Sequence, residues 1–324
     1  MSTENESIAA ELYPWLRDHW AFFIQRLKSD RLAHALMVEG AAGNGKMQLA
    51  KLMVGRLLCS EDGDQACGKC RSCQLFAGGA HPDYFELQPE EDSEVIKVDQ
   101  VRALIGSLDL TSSISERKVV FIHPAESMNA ASANALLKSL EEPSGNAVLV
   151  LVSHNAARLP ITIRSRCQGI AVKQPQASVV MPWLAGRSQK PAEQLEAALQ
   201  AAGGSPLRAE AYLGSPEMEA WSLVGRSLDG LLARPATVST VSSRFAELDP
   251  VDLWRWLSMY CAGLIRNRMA GTALHGLSDN PKLNNKNLLQ LQKQADVNRQ
   301  LSTTPVRADL LLQEWLIKWA EQAF

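Results

Sequence analysis

The chain has 324 residues, of which 46% are hydrophobic and 21% are charged, and its formal net charge is −2. This balance is typical of a globular protein and excludes a disordered or fibrous chain, and the length predicts two or three domains. A chain with so little net charge does not coat nucleic acid through an overall positive field.

The N-terminus and the cysteines indicate a reducing compartment. Met1 to Ala10 contains two glutamates and no apolar stretch, and no later segment approaches the ~20 apolar residues of a membrane span. We therefore expect a cytoplasmic protein that does not enter a membrane. Four of the six cysteines lie between Cys59 and Cys73, which in such a compartment favours a metal site over disulfides.

Short apolar segments alternate with helical patterns in the first half of the chain. The predicted strands are 35–39, 84–87, 118–122, 147–152 and 169–172, and the predicted helices between them include 46–58, 98–108 and 130–140. This alternation predicts an α/β fold with a five-stranded parallel sheet.

Strand patterns end at Val172, and the rest of the chain is predicted to be helical. The predicted helices are 190–202, a short one ending at Leu213, 218–232, 251–269, 284–301 and 306–323, with breaks at Gly203-Gly204-Ser205-Pro206, Pro235, Pro250, Pro281 and Pro305. We predict an α/β domain over 1–172, a small helical domain over 173–213 and a C-terminal all-α domain over 214–324.

The last predicted helix has one strongly apolar face, formed by Leu312, Trp315, Leu316 and Trp319. One interpretation is that these side chains fill a helical core. The other is that some of them face a neighbouring subunit, because Trp is enriched at the centres of interfaces.

Residues 40–47 read Gly-Ala-Ala-Gly-Asn-Gly-Lys-Met and follow a predicted strand, as in a phosphate-binding P-loop. Gly40, Gly43, Gly45 and Lys46 match the pattern, but Met47 stands where a Ser or Thr hydroxyl would ligate magnesium. A thioether is a poor ligand for this hard cation. Met47 therefore favours a loop that keeps its shape but has lost ordinary metal-assisted hydrolysis, and whether it still binds nucleotide is left open.

A second magnesium ligand is missing from the strand that ends at Ile122. Carboxylates are expected just after such a strand, but His123 and Pro124 stand there. Glu126 lies further along and is an alternative ligand. Phosphoryl transfer depends on charge neutralisation by the metal. The absence of magnesium ligands at both positions therefore predicts that this chain does not hydrolyse nucleotide.

The clustered cysteines have the spacing of a zinc site. Cys59, Cys67, Cys70 and Cys73 supply four thiolates, which suit a closed tetrahedral site with a structural role. Contact with nucleic acid through this segment is an alternative, although only Lys69 and Arg71 lie nearby.

Two longer segments connect the chain to a known family. They are residues 134–143, Asn-Ala-Leu-Leu-Lys-Ser-Leu-Glu-Glu-Pro, and residues 159–167, Leu-Pro-Ile-Thr-Ile-Arg-Ser-Arg-Cys. With Arg31–Ala35, His81-Pro82-Asp83 and the four cysteines, the chain resembles the bacterial clamp loaders of the AAA+ class, which belong to the DNA polymerase III holoenzyme. The likeness covers most of residues 14–172 and is looser beyond them.

The departures at Met47, His123 and Pro124 resemble the delta-prime type of subunit, which keeps the fold and zinc module but does not hydrolyse ATP. The resemblance implies that Arg166 is presented to ATP held by an adjacent subunit, as an arginine finger in trans. Arg164 is a second candidate. The alternative is that Arg166 only pairs with a carboxylate of its own domain.

The resemblance also implies an AAA+ domain, a helical lid and a C-terminal collar that joins five subunits. The implied partners are the gamma or tau and delta subunits, and through them the sliding clamp and primed DNA, with this chain as a rigid stator. Two rival hypotheses are an active AAA+ clamp-loader ATPase whose metal is held by Glu126, and a zinc-dependent nucleic-acid-binding regulator.

Overall fold

The computed structural model describes residues 11–108, 111–143, 145–233, 237–270, 283–302, 304 and 306–323. The chain forms two compact units, Met1–Val180 and Met181–Phe324. The three-domain division stays a prediction. The segment Met1 to Ala10 and the predicted breaks at Pro235, Pro281 and Pro305 lie outside the described residues.

The strands and helices follow the chain in this order. The strands are β1 (Ala35–Glu39), β2 (Tyr84–Leu87), β3 (Val119–Ile122), β4 (Val148–Ser153) and β5 (Gln168–Ala171). The helices are α1 (Arg17–Lys28), α2 (Lys46–Leu58), α3 (Arg71–Ala77), α4 (Val98–Leu108), α5 (Ala130–Glu141), α6 (Ile161–Arg164), α7 (Ala177–Arg187), α8 (Ala192–Ala201), α9 (Pro206–Tyr212), α10 (Pro216–Ala233), α11 (Val238–Phe245), α12 (Pro250–Ala270), α13 (Asn285–Leu301) and α14 (Ala308–Ala320).

The first unit is built on a parallel sheet with the strand order β2-β3-β4-β1-β5. Each neighbouring pair is parallel; Met37, for example, lies opposite Leu151 on β4 and Gly169 on β5. The predicted α/β fold with five parallel strands is confirmed, and its strand bounds differ from the prediction by one residue at most.

Both faces of the sheet are covered, because alternate strand residues point to opposite sides. Leu36 and Val38 of β1 pack with α1 and α2 on one face. Ala35 and Met37 pack with α4 and α5 on the other. This burial on both sides explains why the strands read as continuous apolar runs, and it leaves the carboxyl edge of the sheet free for polar groups.

The second unit is helical, and its core is rich in tryptophan. Trp315 and Trp319 stack with their ring centroids 5.7 Å apart, and Trp254 meets Trp315 edge to face. Leu312, Trp315, Leu316 and Trp319 are all buried. The core interpretation of this helix face is therefore confirmed, and the interpretation as a subunit interface is wrong. None of the helices in the described part of the chain combines the length and apolar character that a bilayer crossing needs.

Three helices of the first unit, α1, α3 and α6, were not predicted from periodicity. Helix α1 buries Trp20, Phe23 and Ile24 but is interrupted by polar residues. Helix α3 has only 7 residues and starts inside the cysteine cluster, where the Cys70 Sγ accepts a hydrogen bond from the Cys73 amide. A helix this short depends on its cap and its surroundings more than on its own propensity.

A buried polar network connects α3 with the sheet. The Asp83 carboxylate is fully buried and accepts hydrogen bonds of 2.7–2.8 Å from the amides of Ser113, Ile114 and Ser115. Ser72 of α3 hydrogen-bonds the His81 imidazole at 2.7 Å. Burial opposes ionisation of Asp83, but the three amide hydrogen bonds outweigh it and lower the pKa of the carboxyl.

We expect Asp83→Asn to lower the free energy of unfolding at neutral pH by about 2–4 kcal/mol, because hydrogen bonds to a buried charged acceptor are lost. A lowered pKa in the folded state stabilises the fold above the unfolded-state pKa, and this stabilisation is lost as the pH falls through the folded-state pKa. The difference between the two proteins should therefore shrink below a pH of about 4. Urea unfolding across this pH range, with the exposed Asp99→Asn as control, tests it. A difference that does not vary with pH would contradict this account.

Candidate functional site

The P-loop leaves β1 at the carboxyl edge of the sheet and ends at the first residue of α2, Lys46. Gly43 and Gly45 have φ angles of 80° and 84°, in the left-handed region that favours glycine. A Cβ at Gly45 would lie 2.6 Å from the Tyr13 ring. The loop thus has the backbone of a phosphate-binding turn that opens a helix.

An aromatic pair lies beside this loop. Tyr13 and Trp15 stack with their ring centroids 5.0 Å apart, and the Trp15 indole donates a 2.9 Å hydrogen bond to the Asn44 carbonyl. The Asn44 side chain is buried, and neither of its polar atoms has a hydrogen-bond partner within the described chain. The sequence pattern gave no signal for this aromatic contact, because Tyr13 and Trp15 precede the first predicted element.

Lys46 is buried and hydrogen-bonded within its own unit. Its ammonium donates to the Ala41 carbonyl at 3.2 Å and to the His154 Nδ1 at 2.5 Å. Burial lowers the pKa of Lys46 to about 8, while the charge of Glu126 opposes this shift. At neutral pH the lysine is therefore mostly charged. The Nδ1 of His154 must carry no proton if it is to accept the hydrogen bond from this ammonium.

His154 was not singled out by the sequence. It directly follows β4, the neighbour of β1, and therefore lies at the carboxyl edge of the sheet beside the P-loop. This position immediately after a strand is the feature of the sequence that could have identified it. Burial and the Lys46 charge lower its pKa, whereas Glu126 raises it. The P-loop lysine thus has an internal acceptor where a phosphate oxygen would otherwise bind.

Glu126 does reach this edge of the sheet. Its Oε1 accepts hydrogen bonds from the amides of His154 at 2.8 Å and Asn155 at 3.2 Å. Its Oε2 is buried and has no hydrogen-bond partner among the residues that the structure describes. Burial raises its pKa, but hydrogen bonds, among them that of the His154 amide, prevail, so the pKa of Glu126 is lowered.

The residues at the expected magnesium positions do not fit this cation. Met47 packs against the apolar cluster of the sheet. The His123 Nε2 lies 2.5 Å from the Glu86 Oε1, and Pro124 has no amide hydrogen. Hard oxygen ligands in octahedral geometry are thus missing from both positions, and Glu126 provides one oxygen without a partner.

The four cysteines come together as the sequence predicts. The Sγ atoms of Cys59, Cys67, Cys70 and Cys73 all lie within 4.8 Å of one another. Cys59 and Cys70 sulfurs are 4.0 Å apart, and those of Cys67 and Cys73 are 3.9 Å apart. Sulfur ligands at about 2.3 Å from a tetrahedral zinc are separated by about 3.8 Å, so the spacing fits such an ion.

Backbone amides support the same cluster. The amide of Cys70 points at the Cys67 sulfur at 3.2 Å, and the amide of Cys73 points at the Cys70 sulfur at 3.4 Å. Such hydrogen bonds favour thiolates. The four cysteines are therefore close enough together to hold one metal ion.

Arg166 lies just after α6 and is partly exposed. Its guanidinium forms an ion pair with Glu141 at the end of α5, and its Nη1 donates to the Thr162 carbonyl at 3.0 Å. The second candidate, Arg164, is half-buried. Arg166 does pair with a carboxylate of its own unit, as the alternative interpretation holds, and its side chain still keeps 35% of its surface exposed.

Comparison with known proteins identifies the family. The family model described as "DNA polymerase III, delta subunit" matches residues 16–176. The DNA polymerase III subunit delta' of Pseudomonas aeruginosa is 39% identical, covering 96% of this chain and 98% of that protein. The chain belongs to the DNA polymerase III subunit delta' family. The subunit delta' of Yersinia pestis is 33% identical over 95% of both chains, and that of Bacillus subtilis is 39% identical over 47% of this chain and 46% of that one.

Solved structures with similar folds include a DNA polymerase III gamma subunit-related protein from Thermotoga maritima, with a TM-score of 0.44 and 16% identity over 93% of this chain and 99% of that one. The clamp loader delta protein of Bacillus subtilis has a TM-score of 0.36 and 13% identity, with the same two coverages. Because both scores lie below 0.5, the family assignment depends on the sequence relatives.

We expect His154→Ala to increase the affinity of the P-loop for inorganic pyrophosphate, because Lys46 loses its imidazole acceptor. One hydrogen bond made available to an anion corresponds to a gain of at least about fivefold. Calorimetric titration at neutral pH without magnesium measures it. The double variant His154→Ala, Lys46→Ala should lose the gain. Equal affinities of the wild type and His154→Ala would show that His154 does not restrain the lysine.

Proposed function

We propose that this chain is the non-hydrolysing delta-prime subunit of a DNA polymerase III clamp loader. In this role it assists ATP-dependent loading of the sliding clamp onto primed DNA, together with gamma or tau and delta subunits. It has no independent catalytic activity and acts as a stator. The observation that carries the proposal is the edge of the sheet at Lys46, where oxygen ligands for magnesium are replaced by Met47 and His123.

The proposal assigns Arg166 to the nucleotide site of an adjacent subunit. A guanidinium supplied in this way stabilises the charge that develops during phosphoryl transfer and is worth about 10³ to 10⁵ in rate. Its position supports this role, since it lies just after the short helix α6 and is partly exposed. Lysine is a poor substitute because it lacks the planar, bidentate donor geometry.

Glu141 serves as the resting partner of Arg166 in this proposal. A carboxylate and a phosphate oxygen are recognised by the same guanidinium geometry, so one can replace the other. The ion pair keeps Arg166 close to the surface of α6 until a neighbour is bound.

One observation favours a second function, an active ATPase. The Glu126 Oε2 is buried beside the Lys46 site without a hydrogen-bond partner among the described residues, and a carboxylate oxygen is a magnesium ligand. Against it, Met47, His123 and Pro124 offer no second oxygen ligand from their side chains, and the Glu126 Oε1 already accepts two backbone hydrogen bonds.

We expect Arg166→Ala to lower the DNA- and clamp-stimulated ATPase rate of the reconstituted complex by at least about 10³-fold per site that this arginine serves. If the other ATP sites of the complex continue to turn over, single-turnover kinetics are needed to measure the rate at the site that Arg166 serves. Glu141→Gln is the matched variant: it frees Arg166 without removing it and should retain the rate. Gel filtration must show that both variants assemble.

The isolated chain distinguishes the two functions. Negligible ATP hydrolysis by the purified chain with magnesium supports the stator. Hydrolysis that is lost in Lys46→Ala and Glu126→Gln would favour the active ATPase and overturn the proposal. Unchanged turnover of the complex with Arg166→Ala would remove this arginine from the neighbour's site.

We infer in addition that the four cysteines hold a structural zinc ion. Four thiolates leave no open coordination position, so the ion has no catalytic role. It would join the end of α2 to the start of α3, a segment with little core of its own.

Cys70→Ser should lower the zinc content of the purified protein from about one equivalent to well below it, because a closed four-thiolate site loses a ligand. The melting temperature of the first unit should fall with it. Elemental analysis and thermal unfolding measure the two effects, and Cys261→Ser, outside the cluster, is the control for metal content. Freshly purified wild-type protein without zinc would contradict the assignment.

A further inference from the structure

A groove of about 530 Å³ lies between α10 and α11 of the second unit, far along the chain from the P-loop and from the cysteines. Its residues on α10 are Leu223, Arg226, Ser227 and Gly230, and those on and before α11 are Thr237, Thr240, Val241 and Arg244. Both sets follow a spacing of three and four residues, so each forms one stripe of its helix. Two helix faces thus line the groove.

Two arginines give the groove its charge. Arg226 and Arg244 are exposed, and within the described chain neither guanidinium forms an ion pair or a hydrogen bond. Three other arginines of this unit, Arg187, Arg299 and Arg307, pair with carboxylates. The groove lining contains no aspartate or glutamate. The positive charge of the groove is therefore not balanced by its walls.

The floor of the groove is mostly apolar. Val241 is buried and Leu223 is half-buried, and the buried Ser227 is the one polar side chain among these three. Gly230 widens the groove, since a Cβ at this position would meet no atom within 4 Å. A glycine inside a helix is unfavourable relative to alanine, and here it also leaves space that a side chain would fill.

We propose that this groove binds an acidic peptide segment of a partner protein, with an apolar side chain on the floor and carboxylates on Arg226 and Arg244. Arginine and carboxylate match in a bidentate geometry, and apolar anchors with a charged rim are typical of peptide grooves. The volume lies in the range of sites that enclose one or a few side chains. An apolar floor suits a peptide better than a nucleic-acid backbone, which has no side chain to place there.

The test uses the full chain and a fluorescein-labelled synthetic peptide of alternating glutamate and leucine or phenylalanine. Anisotropy at low salt should show saturable binding that weakens as salt is added. The same peptide with glutamine in place of glutamate should bind at least about tenfold more weakly. An oligothymidylate of similar length should not compete.

Two kinds of variant test the groove: one reverses its charge and the other fills its space. The double charge reversal Arg226→Glu, Arg244→Glu should weaken peptide binding by at least about tenfold. Reversal of the exposed Lys286 on α13, Lys286→Glu, should leave peptide binding unchanged. Gly230→Leu fills the groove and keeps both arginines in the chain; it raises helix propensity and should also weaken binding. Circular dichroism confirms that the variants stay folded.

Three results would overturn the proposal. They are equal binding of the glutamate and glutamine peptides, binding unaffected by the arginine reversal and by Gly230→Leu, and saturable binding of the oligothymidylate that competes with the peptide. The last would assign the groove to nucleic acid. None of these results bears on the ATPase or zinc experiments, so the groove and the stator role stand or fall separately.

Discussion

The buried ammonium of Lys46 is the constraint that organises the carboxyl edge of the sheet. A buried cation needs hydrogen-bond acceptors and a nearby negative charge, because its desolvation is costly. Ala41 and His154 supply the acceptors, and Glu126 supplies the charge. The lysine of a phosphate-binding loop is thereby satisfied within its own unit. Met47 and His123 remove the ligands for the metal that would otherwise bring a triphosphate to it.

The cysteine cluster obeys a separate constraint, which is to hold a short segment between α2 and α3. Ser72 donates to the Leu58 carbonyl at 2.5 Å and contacts His81, so this segment is attached at its base to the end of α2. The Asp83 carboxylate then fixes the loop before β3 through three amides. Ser72, His81 and Asp83 thus position the module, which gives the His-Pro-Asp sequence before β2 a structural role.

The sequence was sufficient for the elements that have a local signal. The strands, α2 and α5 were predicted to within one residue, because buried parallel strands read as apolar runs and because Asn129 caps α5. It was insufficient for pairs that meet only in the fold. Lys46 and His154 are 108 positions apart, and Arg166 and Glu141 are 25 apart. The periodicity of the sequence carries no information on such contacts, since they depend on which elements are neighbours in the fold.

The Arg166–Glu141 ion pair shows how a residue can have a partner in its own unit and still be available to another. The two side chains are 35% and 50% exposed, and pairs in such positions contribute about 0–1 kcal/mol to stability. An arginine finger is worth about 4–7 kcal/mol in transition-state stabilisation. Exchange of the carboxylate for a triphosphate therefore costs little compared with the proposed gain. Under the proposed function, pairing within the unit and action in trans are two states of the same side chain, and the balance between them depends on whether a neighbour is present.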